Sequence, residues 1–277
     1  MSYHTMGRAA LDYAPCYYEG SRICFRGPKA HLDEPYVAYL GSTETFGKFV
    51  SQPFPWITGL GLHTDTLNLG VVNSGIDMYL AEPDLMELAR RSKVTVVQTM
   101  SAANLSNKYY TVHPRRNDRF VKPTIHLEAL VPDLDLTEVH FTRHFLTELA
   151  AHSPSVFEIV RKELRAVWIY RMEQLLAQIG GKIVLLWFGR RSPDAASGME
   201  SLAIDPLFVD RAMIEMLRPM VNEIVEVVPS DMAKAEGPRG MVFHPLEAEA
   251  ATKMMSVRAH CEAAERLRQS LIPLTVL

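Results

Sequence analysis

The chain has 277 residues, 48% hydrophobic, 22% charged and 9% aromatic, with 29 Lys and Arg against 32 Asp and Glu for a formal net charge of −3. That length fits one large domain or two modest ones with a full core, and the near-balanced charge argues against a polybasic nucleic-acid binder. Cys16, Cys24 and Cys261 are an odd count without metal-ligand spacing, and neither an apolar leader nor an 18-residue apolar run occurs, so a soluble, cytoplasmic, non-membrane protein without a disulfide framework or structural zinc is expected.

Residues 1–32, rich in Tyr, Gly and Arg, read as an irregular N-terminal extension, and residues 33–277 as one α/β domain. The first strands are Tyr36–Leu40 (YVAYL) and residues 66–69 (TLNL), followed by a helix over Pro83–Arg91 and a third strand over 94–100 (VTVVQTM). Residues 105–155 carry prolines, histidines and charges without clear periodicity and read as an insertion after that strand, with a helical stretch over 137–149. Next comes the strongest helix, about 156–179, whose Phe157, Val160, Leu164, Val167, Leu175 and Ile179 recur at three- and four-residue steps before Gly180-Gly181. A strand at Ile183–Phe188 follows, then a helix over 207–217 opened by Asp205-Pro206 as N-cap and N1 residue, a strand over 224–228 and a tail helix around 247–264. Continuous apolar runs suit strands covered on both faces, and their alternation with helices points to a mostly parallel five-stranded sheet.

In such a sheet ligands bind beyond the carboxyl ends of the strands. There the sequence places Gly41-Ser42-Thr43-Glu44-Thr45-Phe46-Gly47 after the first strand, residues 68–75 (NLGVVNSG) after the second, and Ser101-Ala102-Ala103-Asn104 after the third. His244-Pro245 stands late, before the terminal helix. Hydroxyls, small residues with free N–H groups, a carboxamide and an imidazole are parts for a nucleophile, an oxyanion hole and a base. Each also has a plainer use: Ser42, Thr43 and Thr45 as helix caps, Gly75 and Asn104 as turn residues, His244 as a helix-entry residue.

The order of these blocks resembles the SGNH (GDSL-type) hydrolase superfamily from about Tyr36 to the end. The chain is similar, too, to an uncharacterised bacterial family with the strings TETFGKF and HPRRNDRF. The resemblance implies a flavodoxin-like three-layer α/β/α sandwich and ester hydrolysis. On it Thr43 takes the nucleophile position, Ser42 stands where the block has Asp, Gly75 (with Asn73 as the lesser choice) and Asn104 lend the oxyanion donors, and His244 is the base. Two residues depart from the pattern: Ala102 replaces a glycine, and Met241 replaces the acid three before the histidine. A carboxylate from elsewhere, such as Glu44 or Glu247, would have to orient His244.

The second constellation is residues 108–122, where Lys108, Arg115, Arg116, Arg119 and Lys122 face Asp118 alone, with Tyr109, Tyr110, His113 and Phe120 interleaved. Arginine forks bind phosphate, sulfate and carboxylate, so His113, Arg115, Arg116 and Arg119 are candidate contacts for an anionic or carbohydrate ligand; pairing with Glu128, Asp133, Asp135 and Glu138 is the structural alternative. His140 and His144 are spaced i, i+4, a weak metal signal without a third ligand, and no metal site is assigned. No dinucleotide or phosphate-loop motif occurs, and no cofactor is expected. Two functions follow. The first is an SGNH-like esterase, acyl hydrolase or acyltransferase acting on an acylated small molecule or glycan. The second is a catalytically inactive SGNH-like binding or structural protein, a homo-oligomer or component of a larger assembly, recognising an anionic or carbohydrate ligand.

Overall fold

The computed structural model describes residues 10–195 and 202–275. In chain order these form β1 (Tyr36–Leu40), α1 (Thr43–Phe46), α2 (Phe54–Leu62), β2 (Asp65–Asn68), α3 (Ile76–Leu80), α4 (Pro83–Arg91) and β3 (Val94–Gln98). There follow β4 (Tyr110–Val112), β5 (Phe120–Pro123), α5 (Ile125–Leu130), α6 (Thr142–His152), α7 (Pro154–Ile179) and β6 (Ile183–Phe188). The chain closes with α8 (Arg211–Met216), β7 (Glu223–Val227), α9 (Asp231–Glu236), α10 (Ala248–Thr252) and α11 (Val257–Thr275).

Five strands pair in parallel in the order β2-β1-β3-β6-β7. Numbered along the sheet's own strands this is the 2-1-3-4-5 order of flavodoxin-like doubly wound folds. The inner strands β1, β3 and β6 are buried at every residue, whereas the edge strands β2 and β7 are partly exposed. Burial on both faces is why the inner strands read as unbroken apolar runs.

Side chains alternate between the faces. Tyr36, Ala38, Leu40, Leu185 and Trp187 enter a core with α3, α4 and α7, while Val37, Tyr39, Val184, Leu186 and Phe188 enter another with Phe54 of α2 and Ala259, Ala263, Leu267 and Leu271 of α11. The result is a three-layer α/β/α sandwich. α7 starts at Ser153, whose hydroxyl accepts the Val156 N–H, with Pro154 at N1, and its fully buried Trp168 donates its indole N–H to Met100 O at 2.8 Å, fixing the turn after β3. No helix among the described residues is long and apolar enough to cross a membrane.

Several elements differ from the sequence reading. The helix expected from residue 207 begins at Arg211, capped by Asp210, whose carboxylate accepts the Met213 N–H at 3.2 Å. Residues 206–209 are drawn elsewhere: the buried Arg191 guanidinium binds the carbonyls of Pro206 and Val209, and Arg165 binds that of Phe208. The helix expected over 137–149 begins at Thr142, so His140 precedes it and shares no helix face with His144, which pairs with Glu148. The tail helix is split into α10 and α11. The insertion carries its own hairpin, β4 with β5, stacked on α6 through Tyr110, Phe120 and Phe145, with ring centroids 4.8–5.8 Å apart. Residues 10–32 have little regular structure, yet Tyr18, Ile23 and Phe25 join the main core.

Candidate functional site

A cleft of about 330 Å³ opens at the carboxyl ends of β1, β3 and β6. Ser42, Thr43 and Glu44 come to it from the β1–α1 turn, Asn73 and Ser74 from the loop after β2, and Thr99, Ser101 and Asn104 from the turn after β3. Asp118, Phe141, Thr142 and Arg143 of the insertion form a wall, and Arg190, Asp205 and Lys253 complete the rim.

The turn that presents Ser42 and Thr43 is organised by the buried Gln98. Its Oε1 accepts from Thr45 Oγ1 (2.6 Å), Ser42 N (3.1 Å) and Thr45 N (3.3 Å), and its Nε2 donates to Glu44 Oε2 at 2.8 Å. The Gly41 N–H donates to the buried Tyr79 hydroxyl at 2.9 Å. A Cβ at Gly41 would lie 2.1 Å from Thr45 Oγ1 and 2.5 Å from Gln98 Oε1. Gly41→Ala should therefore cost about 3 kcal/mol through forced repacking, read as a lowered urea midpoint; an unchanged midpoint would show that the turn yields freely.

The Thr43 hydroxyl is held by Asn73, accepting its backbone N–H at 3.1 Å and donating to its Oδ1 at 3.2 Å. Asn73 adopts φ 60°, a left-handed backbone that asparagine tolerates better than most residues. Its Nδ2 passes on to Asp118 Oδ2 at 2.9 Å. This chain of hydroxyl, carboxamide and carboxylate orients Thr43 but does not activate it, because an amide has no free valence for the hydroxyl proton. Burial raises the Asp118 carboxyl against the opposing pull of Arg119 and Arg116, and burial likewise raises Glu44 against its Gln98 hydrogen bond.

Across the cleft, Asn104 Oδ1 accepts from Thr142 Oγ1 at 2.8 Å, and its amide Nδ2 has no protein partner among the described residues. Two buried side-chain oxygens of the lining, Thr99 Oγ1 and Asp118 Oδ1, also lack one. The cations are largely engaged: Arg143 pairs with Asp205 at 2.7 Å, Lys253 pairs with Glu249 at 2.7 Å, and Arg190 donates to Met254 O at 2.7 Å.

Ser42, Thr43 and Asn104 thus meet in one cleft, whereas two expected partners do not join them. The Gly75 N–H is spent at 2.7 Å on Asn117 Oδ1, and Asn73 stands over the Thr43 hydroxyl instead. His244 is exposed and outside the cleft lining, with its Nδ1 accepting the Leu246 N–H at 3.3 Å, so among the described residues no histidine lines the cleft. Met241, at the expected acid position, is buried with Phe49, Val50 and Ala251, and Glu247 lies 3.8 Å from Lys48. Glu44 lines the cleft, bound to Gln98.

His113, Arg115, Arg116 and Arg119 are exposed. Their expected ion pairs with Glu128, Asp133, Asp135 and Glu138 do not form among the described residues; instead His113 Nδ1 accepts the N–H groups of Arg115 and Arg116 at 3.2 Å, and Arg119 stacks 5.3 Å from the ring of Phe141, a cleft residue. The string therefore borders the cleft, and its Asn117 and Asp118 anchor it there. Gln98 and Thr99 were missed, and Asn73 and Asp118 were read only as the lesser oxyanion candidate and as the one acid of the basic string, because each lies in a short motif with an ordinary local reading. The signal that could have found Gln98 is a carboxamide at the carboxyl end of a β-branched strand run.

Fold and site together define a flavodoxin-like α/β sandwich protein with a polar cleft at the strand ends. The family model described as a domain of unknown function (DUF6473) matches residues 1–275, and the chain belongs to that family. No curated protein matches the sequence. Among solved structures it is similar to a gut microbial diltiazem-metabolizing enzyme (11% identity, TM-score 0.43, covering 86% of this chain), of whose length it spans about half, 46%. It is similar also to a carbohydrate esterase family 2 enzyme with a carbohydrate-binding domain from Corynascus thermopiles (Myceliophthora fergusii), at 10% identity and TM-score 0.43 over 91% of this chain and 70% of that one. A lipase from a goat rumen metagenome matches at 13% identity and TM-score 0.39, over 85% of this chain and 97% of that one.

Proposed function

We propose that this chain is an SGNH-like protein whose cleft recognises a hydroxyl-rich small molecule or glycan without histidine-assisted ester hydrolysis. The observation that carries this reading is an unmatched polar set on residues that line the cleft: the buried oxygens Asp118 Oδ1, an acceptor, and Thr99 Oγ1, donor or acceptor, together with the Asn104 amide Nδ2, a donor without a protein partner among the described residues. A buried polar atom left unpaired costs about 1–3 kcal/mol, and a ligand rich in hydroxyls, each both donor and acceptor, relieves acceptors and donors together. With the cleft cations already engaged, the body of the ligand is neutral, and an acidic substituent would meet Arg115, Arg116 and Arg119 at the border.

Calorimetric titration with neutral and acidic saccharides tests this. Binding should be saturable and weakened roughly 5–10-fold by Asn104→Ala or Thr99→Val, the worth of one hydrogen bond. Arg116→Ala should weaken only the acidic members. Binding indifferent to both cleft variants would overturn the assignment.

A second reading has one observation in its favour: Ser42 lines the cleft with its hydroxyl lacking a protein partner among the described residues, next to Thr43 at the start of α1 and in the cleft that Asn104 also lines. Cleavage of p-nitrophenyl acetate or butyrate that vanishes in Ser42→Ala would establish acyl chemistry through Ser42. On the recognition reading wild type shows no turnover above background, and His244→Ala leaves the result unchanged.

A further inference from the structure

A second cleft, of about 410 Å³, lies between residues 26–31 of the N-terminal arm, α2 and the edge strand β2, and shares no lining residue with the first. We propose that it holds a pyranose ring bearing a carboxylate, a hexuronate unit. One side is the indole of Trp56, 39% exposed, with Leu60, 60% exposed, one helical turn on. Around it stand Lys29 and His31 from the arm, His63 at the end of α2 and Asp65 at the start of β2.

None of these four polar side chains forms an ion pair or side-chain hydrogen bond among the described residues, although the Lys29 ammonium lies 5.6 Å over the Tyr18 ring. An exposed indole offers a flat apolar face to the C–H face of a sugar, and its neighbours offer donors and an acceptor for ring hydroxyls. The anionic preference follows from Lys29. The other nearby cation, Arg26, is consumed by the carbonyls of Phe46, Gly47 and Ser51. With no guanidinium fork free and the Asp65 carboxylate close by, the cleft suits a single carboxylate better than a phosphate dianion.

The chain has three tryptophans, and Trp168 and Trp187 are fully buried, so quenching of indole fluorescence by neutral acrylamide reports Trp56. Titration of the full-length protein with D-glucuronate should protect this indole saturably, D-glucose should protect it more weakly, and AMP should not protect it. Lys29→Ala should weaken glucuronate at least 5-fold and leave glucose unchanged; Asp65→Asn should weaken both. Both side chains are exposed, so neither variant threatens the fold. Unchanged quenching with glucuronate, protection by AMP instead, or protection that survives both variants overturns the proposal. Asn104→Ala, which reports the first cleft, leaves this signal unmoved, so the two readings fail separately.

Discussion

Gln98→Leu is expected to be among the most damaging single substitutions at the site, costing about 3–6 kcal/mol of a domain stability near 5–15 kcal/mol. Leucine keeps the volume but strands three donors that now share one acceptor, Thr45 Oγ1 and the N–H groups of Ser42 and Thr45, and removes the donor that faces Glu44. A buried donor whose partner is deleted costs its full desolvation penalty, more than the net worth of the bond. Gln98→Glu separates the roles, because it keeps the acceptor while setting a second carboxylate against Glu44. It should be destabilised at neutral pH and recover as the pH falls and one carboxyl of the pair protonates. Urea unfolding of both variants across pH is the check; a leucine variant within about 0.5 kcal/mol of wild type, the range of ordinary surface changes, would remove Gln98 as organiser of the turn.

The second large effect is on stability against acid. His260 is buried in α11, its Nδ1 accepting the Phe54 N–H at 3.2 Å and its ring stacked on Phe54 with centroids 5.9 Å apart. Burial, helped by the Arg26 charge, pushes its pKa down to about 3. An unfolded histidine titrates near 6.5, so below that value the unfolded chain binds a proton that the folded chain refuses. Stability contributed by neutral His260 is complete above about pH 6.5 and declines by about 1.4 kcal/mol per pH unit as the pH falls toward 3. His260→Asn can still offer an oxygen to the Phe54 N–H and has no proton to gain. Its stability should vary less steeply over this window, and the difference between the two curves cancels the carboxylates common to both. Parallel curves would mean that His260 titrates in the folded protein as freely as in the unfolded one.

The sheet was legible because its inner strands are covered on both faces, which writes burial into the sequence as unbroken runs such as YVAYL and IVLLWF. The long helix was equally plain from its periodic buried face and its glycine stop, although it begins at Pro154, two residues before the expected start. The helix expected at residue 207 failed for a reason no local pattern contains: guanidinium groups distant in sequence, Arg191 and Arg165, hold the carbonyls that a helix would need. The site divides along the same line. Ser42, Thr43 and Asn104 follow strand ends, and strand ends converge in this topology, so their meeting could be foreseen. Gly75 and His244 were assigned by their order along the chain, but order does not fix distance. Asn117 reaches the Gly75 amide from 42 residues away, and His244 is carried off on a segment packed through Met241 and Phe243 against Phe49. The role of Asn73 rests on a left-handed turn, and that of Asp118 on the folding of the insertion back over the sheet edge.

The measurement that bears most directly on the cleft is nitrogen-15 correlation of the side-chain amides during saccharide titration. The amide Nδ2 of the cleft-lining Asn104 has no protein partner among the described residues, and those of Gln98 and Asn73 are tied to the cleft carboxylates Glu44 and Asp118. Recognition of a hydroxyl-rich ligand predicts saturable shifts of the Asn104 signal first, with Asn73 following through Asp118, and a midpoint roughly 5–10-fold higher in Thr99→Val. Saturable binding that moves backbone signals elsewhere while the Asn104 and Asn73 amides stay fixed would contradict it.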